Sequence, residues 1–329
     1  MLGGQNKQPR GYASPAYTII EVMIFLAVSG MMFVSAAIFI NGKQASVEFR
    51  QGMVNANASI QAVVNQVSNG EYPSLGDFTC RVNSPSDPAS QPTFTSDVGG
   101  NNAQGANGGS AADRSSSGCI FLGKVVQFDP NDSGLNATNY YVYSVAGRQF
   151  NKEGDPANSF AEAQPQVVFN ASPAIDLTEQ HALQDGLEFA GAYLCTEPTS
   201  CDAIGAIGFF GSFNGGAVSN NQGSGSQTVT TAVIPGVPAH TTKNNAIAQM
   251  DVAYSTAATS GMANIANNPN PDLFPTPPKV IIGGKYILLC FNNGRNRKGA
   301  LTIGGTGGQQ FTTALYFNIS TTGVEQKCQ

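Results

Sequence analysis

The feature that most constrains this chain is one long apolar segment near its N-terminus. From Tyr17 to Ile40 the sequence reads YTIIEVMIFLAVSGMMFVSAAIFI, and Glu21 is its one charged side chain. As a helix these 24 residues measure about 36 Å, enough to cross the roughly 30 Å hydrocarbon core of a bilayer. The preceding residues 1–16 are polar, with two basic side chains and no acid. The positive-inside rule therefore predicts that they stay in the cytoplasm and that the chain after Ile40 lies outside.

Two simpler interpretations of this segment leave something unexplained. A secretory signal peptide has an apolar region of about 7–15 residues before a small-residue cleavage site, and this run is longer. A plain single-pass anchor accounts for the length but not for Glu21. A charged side chain costs about 2.5–3.5 kcal/mol near the bilayer centre, and less near its edge. An acid at this position therefore needs a partner.

The string YTIIEVMI at residues 17–24 resembles the prepilin cleavage and methylation motif of type IV pilins and type II secretion pseudopilins. The resemblance implies that a prepilin peptidase cuts between Ala16 and Tyr17, that the new amine of Tyr17 is methylated, and that Glu21 becomes the fifth mature residue. Ala16 stands where the family usually has Gly. The resemblance also implies that the Glu21 carboxylate pairs with the Tyr17 amine of a neighbouring subunit. Two charges about 4 Å apart in a poorly solvated core attract by several kcal/mol, which offsets much of their desolvation.

Beyond Ile40 the helical pattern continues as one apolar stripe on a polar helix. The stripe has spacings of 4, 3, 4, 3 and 4 residues and consists of Phe49, Met53, Ala56, Ile60, Val63 and Val67. Asn69-Gly70 ends the pattern, which predicts a helix of about 52 residues. The stripe is short for a coiled-coil stalk, so we expect it to pack on the protein's own sheet. Gly30, Gly42 and Gly52 are points where this helix can bend, at about 1 kcal/mol each relative to Ala.

From Glu71 onward, runs of Val, Ile, Phe and Tyr bounded by Gly, Asn and Pro predict strands. The predicted strands are Cys119–Phe128, Thr138–Ala146, Gly186–Cys195, Ala203–Phe213, Gln227–Ile234, Lys279–Phe291 and Phe311–Ile319. Two stretches rich in Gly, Ser and Asn, Ser96–Gly118 and Gly211–Gln227, predict surface loops, and a short helix is predicted within Asn245–Asn264.

The predicted fold class is α+β, with a long N-terminal helix packed on a C-terminal antiparallel β-sheet head, the arrangement that the resemblance also implies. The predicted divisions are a leader peptide at residues 1–16, a transmembrane and assembly helix at 17–69 and an extracytoplasmic head at 70–329.

The cysteines indicate disulfides formed outside the cytosol, because all of them follow the apolar segment and their number is even. The chain has six cysteines, at Cys80, Cys119, Cys195, Cys201, Cys290 and Cys328. Sequence does not choose among the 15 pairings that six cysteines allow. We favour the set of bonds between cysteines that are consecutive in the chain, namely Cys80–Cys119, Cys195–Cys201 and Cys290–Cys328. The rival interpretation is a zinc site, but there is no C-x-x-C pair and His181 and His240 are isolated, so no metal or other cofactor is predicted.

Two further motifs resemble binding sites, but for each we prefer a purely structural interpretation. Residues 129–134, DPNDSG, resemble the opening of a calcium loop, but Tyr140 replaces the bidentate Glu at the twelfth position, so a turn is expected. Arg295, Arg297 and Lys298 form the densest basic cluster, on an expected turn between two strands. Clustered cations can neutralise DNA phosphates, as a DNA-uptake pilus needs, yet a solvated hairpin tip is the simpler interpretation.

Composition and motifs argue against catalysis or general nucleic-acid binding. A net charge of −5 gives no general attraction to DNA, and the 11% of charged residues compares with about 25% in typical soluble domains. No nucleophile elbow, phosphate loop or metal-ligand set is present, and the two histidines are expected on the surface or in loops. The chain is therefore predicted not to be an enzyme.

The expected function is that of a structural subunit, a minor or specialised pilin of a type IV pilus or related filament. Its expected partners are other pilin subunits, the prepilin peptidase and the assembly platform in the membrane. It is expected in the cytoplasmic membrane with the head outside before assembly, and in an extracellular filament afterwards. A pseudopilin of type II secretion and a membrane-anchored binding protein that never polymerises stay open as alternatives. The sequence does not distinguish adhesion, motility, DNA uptake and secretion.

Overall fold

The structure is a computed structural model that describes the longer helix, the strands and their short connections. The described residues are 18–69, 78–82, 92–96, 119–128, 138–148, 150, 153, 155, 157, 160–171, 174–211, 229–233, 242–248, 250, 286–294, 297–304, 312–317, 319, 323 and 325–328.

The longest element is helix α1, Ile19–Asn69, of 51 residues. It ends at the predicted Asn69 and is helical through Gly30, Gly42 and Gly52. Gly52 has a different role from the predicted bend. A Cβ there would lie 2.9 Å from the Gln184 carbonyl oxygen and 3.3 Å from the Leu187 Cβ, so only Gly lets α1 approach that segment.

By its internal contacts the chain divides into two units, Met1–Glu48 and Phe49–Gln329. The described part of the first unit is helix alone. The second unit, called the head from here on, contains the last turns of α1 and all the described strands. The boundary lies inside α1 rather than at its end because the apolar stripe that begins at Phe49 is buried within the head.

More than half of the described residues of the head lie in fifteen strands. They are β1 Phe78–Val82, β2 Pro92–Ser96, β3 Cys119–Phe128, β4 Asn139–Arg148, β5 Gln166–Val167, β6 Phe169–Ala171, β7 Ala174–Asp176, β8 Thr178–Ala182, β9 Glu188–Glu197, β10 Ser200–Ala203, β11 Ala206–Gly211, β12 Val229–Val233, β13 Tyr286–Asn292, β14 Lys298–Ile303 and β15 Thr313–Tyr316. The short helix α2, Phe160–Ala163, follows β4, residues 243–248 are helical, and a 3-10 helix, Gln326–Cys328, lies near the C-terminus.

The described strands form two large sheets and two separate hairpins. The five-stranded sheet has the order β10-β9-β13-β14-β15. The six-stranded sheet has the order β12-β11-β3-β4-β5, with β8 also paired to β4. The pairs β1-β2 and β6-β7 have hydrogen-bonded ladders of their own, and every described pairing is antiparallel. The α+β class is confirmed, with two large sheets where the sequence suggested one.

The stripe on α1 packs against both large sheets, as predicted. All six stripe residues are buried, and they share one core with side chains of β3, β4, β9, β11, β13 and β14. The rings of Phe128 in β3 and Phe189 in β9 stack with centroids 5.3 Å apart, which joins the two sheets directly. At Gly299 in β14 a Cβ would lie 3.0 Å from the Phe49 ring and 3.2 Å from the Met53 methyl, so the helix sits close on this strand.

Strands β4, β11 and β13 are buried at nearly every position, because both faces of the large sheets are covered there. In β13 the side chains of Ile287, Leu289 and Phe291 face the α1 core, while Leu288 and Cys290 face the other side. This alternation follows from the two-residue period of a strand. The outer face of the six-stranded sheet is covered in part by Ala246 and Ile247 of the helical residues 243–248.

Two of the three favoured disulfides are present among the described side chains. Cys195 is bonded to Cys201 with the Cα atoms 4.0 Å apart, and Cys290 is bonded to Cys328 with the Cα atoms 5.3 Å apart. The second bond fixes the C-terminal 3-10 helix to β13. The third predicted pair involves Cys80 in β1 and Cys119 in β3, whose side chains lie outside the described residues.

Several other predictions can be compared with the strands. β3 has the predicted bounds, and the other predicted strands are present with shifted ends. Strand β14 was missed, because Gly294 and Gly299 beside a basic run indicate a turn. Residues 129–137, 251–264 and 279–285 lie outside the described residues, as do residues 97–118 and 212–227 of the two predicted loops.

Replacing Gly52 by Val tests the close approach of α1 to the 184–187 segment. The added side chain meets the Gln184 backbone, so Gly52→Val should destabilise the head by about 1–3 kcal/mol, as overpacking does, despite the better helix propensity of Val than Gly. Urea unfolding of the full chain in detergent, followed by near-ultraviolet circular dichroism of its tyrosines, measures this. Gly30→Val is the matched control, because a Cβ at Gly30 meets nothing within 4 Å. Equal unfolding midpoints for the two variants contradict the prediction.

Candidate functional site

The first candidate site is the N-terminal half of α1, whose side chains face outward on all sides. Every residue from 18 to 39 is exposed. The large apolar side chains there are between 46% (Val22) and 80% (Ile19) exposed. This stretch is long and apolar enough to cross a membrane. An apolar surface of this size is not stable in water, so lipid or other apolar helices have to cover it.

The start of α1 is a capped helix end that contains Glu21. The backbone N–H of Glu21 donates to Thr18 Oγ1 at 3.2 Å, and the N–H of Val22 donates to the Thr18 carbonyl oxygen at 3.2 Å. Thr18-x-x-Glu21 is the sequence of a capping box, and an acid in the first turn is favoured by the helix dipole, typically by about 0.3–1 kcal/mol. Glu21 therefore has a role within its own chain that the sequence reasoning missed, although the T-x-x-E signal was present. Ala16 and Tyr17 lie outside the described residues.

The second candidate site is a buried polar cluster in the head, between α1 and the six-stranded sheet. Lys124 of β3 is almost fully buried. Its Nζ donates to Gln66 Oε1 of α1 at 2.8 Å and to Glu179 Oε1 of β8 at 2.8 Å. The other carboxylate oxygen of Glu179 lies 3.2 Å from His181 Nε2. The cluster thus connects the helix to two strands through one ammonium group.

Strand register explains how these side chains meet. Glu179 and His181 are two residues apart in β8, so both point to one face. On β4, Tyr140 lies opposite His181 and Val142 lies opposite Glu179. The rings of Tyr140 and His181 stack with centroids 5.0 Å apart. Lys124 reaches the same face from β3.

The cluster changes the acidity of two of its members. The hydrogen bond with His181, and next the bond and charge of Lys124, lower the pKa of Glu179 to about 2 against the opposing effect of burial. Burial raises the pKa of Tyr140 above its usual value, with a smaller contribution from the Glu179 charge, while a hydrogen bond with Ser59 opposes the rise. Glu179 is therefore an anion over the whole physiological range, which neutralises the buried Lys124.

His181 has a partly exposed side chain, in keeping with the expected surface position, but it lies in a strand and not in a loop. The strand is β8, the side chain is 39% exposed, and a carboxylate is its neighbour. His240, the basic residue Arg295 and the calcium-like residues 129–134 lie outside the described residues.

The groups that bind the Lys124 ammonium are the side-chain amide of Gln66 and the carboxylate of Glu179. Among the described residues, no group of three or more His, Cys, Asp and Glu side chains is placed to hold a metal ion. A small cleft beside Tyr140 is apolar apart from that residue and Asn139; the other lining residues are Ala56, Ile60, Phe128, Leu183, Phe189, Leu289 and Phe291. The arrangement can hold α1 in one register on the sheet, and we assign it that structural role.

A second charged pair fixes the helical residues 243–248 to the strands. Lys243 forms an ion pair with Asp176 and lies 5.9 Å from the ring centroids of both Tyr141 and Phe169. Burial opposes ionisation of Asp176, but hydrogen bonds from Lys243 and Thr178 outweigh it and lower the pKa of Asp176.

Two residues of the predicted basic cluster are described: Arg297 lies in the connection between β13 and β14, and Lys298 is the first residue of β14. Asn292 pairs with Lys298 across the strands. Within the connection, Gly294 has a φ of +64°, and the backbone N–H of Arg297 donates to Asn293 Oδ1 at 3.2 Å. A contact of this connection with DNA stays a prediction.

Comparison of this chain with protein-family models, with curated proteins and with solved structures finds no match. Its function is therefore inferred from the residues and their geometry.

Replacing Lys124 by Met tests whether the polar cluster stabilises the packing of α1 on the six-stranded sheet. The substitution keeps the volume but leaves Glu179 and Gln66 without the ammonium, so stability should fall by roughly 3 kcal/mol, the low end for a broken buried pair, because Glu179 keeps some access to water. Lys298→Met, at an exposed position, should stay within about 0.5 kcal/mol of the wild type. Urea unfolding followed by tyrosine circular dichroism provides both values. Equal losses in the two variants contradict the assigned role.

Acid should weaken the head through Glu179. Its pKa is about 2 in the folded chain against an ordinary 4.5, so the unfolded chain binds its proton more tightly. The stabilisation is complete above about pH 4.5 and is lost as the pH falls from there towards 2, by roughly 1–3 kcal/mol once partial exposure is allowed for. Unfolding free energies of the wild type and Glu179→Gln, measured from pH 6 to 2, should converge in acid. Parallel curves contradict the prediction, and Asp176→Asn corrects for the second lowered carboxyl.

Proposed function

We propose that this chain is a type IV pilin-like subunit, inserted in the membrane, cleaved before Tyr17 and polymerised through α1. The observation that carries the proposal is the start of α1, where a fully exposed apolar helix begins directly after the expected cleavage site with Glu21 in its first turn. A bilayer covers this helix before assembly, and the helices of neighbouring subunits cover it in the filament.

Cleavage supplies the charge that the proposal needs. The new amine of Tyr17 stands at the positive end of the α1 dipole, where a cation is unfavourable. The Glu21 carboxylate of a neighbouring subunit neutralises that charge. The pairing also offsets the cost of burying the carboxylate in an apolar core. Before cleavage no such amine exists, so the uncut chain remains an anchored monomer.

The head fits the exposed part of such a subunit. Two disulfides are formed among its described cysteines, which suits an oxidising environment outside the cytosol. Its large size and buried sheets favour a minor or specialised subunit that makes contacts outside the cell. Its partners are then other pilin subunits, the prepilin peptidase and the membrane assembly platform.

The capping contact supplies a control that separates two roles of Glu21. Glu21→Gln removes the charge but keeps the backbone N–H that Thr18 accepts from, whereas Thr18→Ala removes the cap and keeps the charge. The variants are produced together with a prepilin peptidase and pilus assembly proteins. Intact mass and N-terminal sequencing should show a mature chain that starts at methylated Tyr17.

Filament incorporation is the decisive measurement. The fraction of each variant in sheared filaments, relative to the membrane, should fall at least tenfold for Glu21→Gln, which corresponds to about 1.4 kcal/mol of lost pairing. Thr18→Ala should incorporate normally. A wild-type chain that keeps residues 1–16 and stays in the membrane fraction indicates a non-polymerising anchor. Normal incorporation of Glu21→Gln shows that assembly does not depend on the Glu21 charge and contradicts the proposed pairing. Assembly only on a type II secretion platform identifies a pseudopilin.

A further inference from the structure

Glu21 and Lys43 enclose the apolar part of α1. Between them the sequence has no charged residue. At 1.5 Å per residue these two positions are about 33 Å apart along the helix, close to the roughly 30 Å hydrocarbon thickness of a bilayer. One charge therefore reaches each edge of the apolar layer, and neither has to enter it.

The Lys43 side chain is arranged beside an aromatic ring. Its Nζ lies 5.5 Å from the ring centroid of Phe39, one helical turn earlier, and both side chains are exposed. The nearest following acid, Glu48, accepts a hydrogen bond from Gln44 at 2.9 Å. A Lys at the end of an apolar helix can keep its ammonium in the headgroup layer while its methylene groups lie along apolar surface, here next to the Phe39 ring.

We propose that Lys43, with Phe39, binds a lipid phosphate at the outer face of the membrane and so fixes how deeply α1 inserts. The proposal rests on the membrane insertion in the proposed function. The ammonium is complementary to a phosphate in charge and hydrogen bonding. An inward slide of α1 by one turn brings Lys43 into the hydrocarbon, and an outward slide brings in Glu21, so both displacements are opposed.

Insertion depth also bears on processing. With Lys43 at the outer boundary, Glu21 stands at the inner boundary, and the bond between Ala16 and Tyr17 precedes it by only a few residues on the cytoplasmic side. The anchor thereby presents the cleavage site at a constant height for a membrane-bound peptidase.

The absence of Trp from the chain makes depth measurable with one reporter. Phe33→Trp places an indole on an exposed position near the middle of the apolar stretch. The full chain with this reporter is reconstituted into vesicles of phosphatidylcholine and phosphatidylglycerol. Quenching of its fluorescence by lipids brominated at deep or at shallow acyl positions gives the depth, independently of the orientation of the chain in the vesicle.

Three variants in this background test the anchor. Lys43→Leu lengthens the apolar stretch, so α1 should slide by up to one turn, about 5.4 Å, and deep quenching should fall relative to shallow quenching. Lys43→Arg keeps the charge and should leave the ratio unchanged. Gln44→Leu adds the same apolar side chain at the adjacent exposed position and should also leave it unchanged.

Three results overturn the proposal in distinguishable ways. An unchanged quenching ratio in Lys43→Leu removes the role of Lys43 while leaving the proposed function intact. A shift in Gln44→Leu as large as in Lys43→Leu shows that apolar length, not the ammonium, sets the depth. A reporter that neither lipid quenches shows that the chain does not insert, which removes the proposed function together with the anchor.

Discussion

The head depends on the burial of one helical stripe between two sheets. Phe49 and Met53 reach β14 at a glycine, and the stacked rings of Phe128 and Phe189 connect the sheets beside the same helix. Because side chains of both sheets share one core with the stripe, a loss of the stripe exposes apolar surface on both sheets. The apolar packing thus supplies most of the stability, while the Lys124 cluster sets the register in which α1 lies.

The same helix meets two different environments along its length. Up to Phe39 its side chains are exposed and apolar, and from Phe49 one face is buried in protein. The sequence of α1 changes with its environment. The helix is apolar on every side where lipid or other helices surround it, and it has a single apolar stripe where it packs on the protein's own sheets. Glu21 belongs to the first environment, which is why its cap and its proposed pairing both involve the helix terminus.

The features predicted correctly from the sequence are those that follow from a local pattern of apolar and polar residues. The stripe, the end of α1 at Asn69 and the bounds of β3 depend on neighbours within a few residues of the chain. The features that were not predicted depend on contacts between residues that are distant in the sequence. Lys124 meets partners that lie 58 and 55 residues away, and such a meeting is decided by sheet order. Strand β14 was missed because its Gly299, which resembles a turn residue, is needed to admit the helix above it.

The bond between Cys290 and Cys328 determines how a mechanical load would pass through the head. Strand β13 is the middle strand of the five-stranded sheet, and β14 and β15 follow it in the chain. Without the crosslink, tension applied at the C-terminus would unzip the edge strand β15 first, one hydrogen-bonded pair at a time. With it, the force passes from Cys328 to Cys290 without loading β14 or β15 first, and it enters a strand that is hydrogen-bonded on both sides.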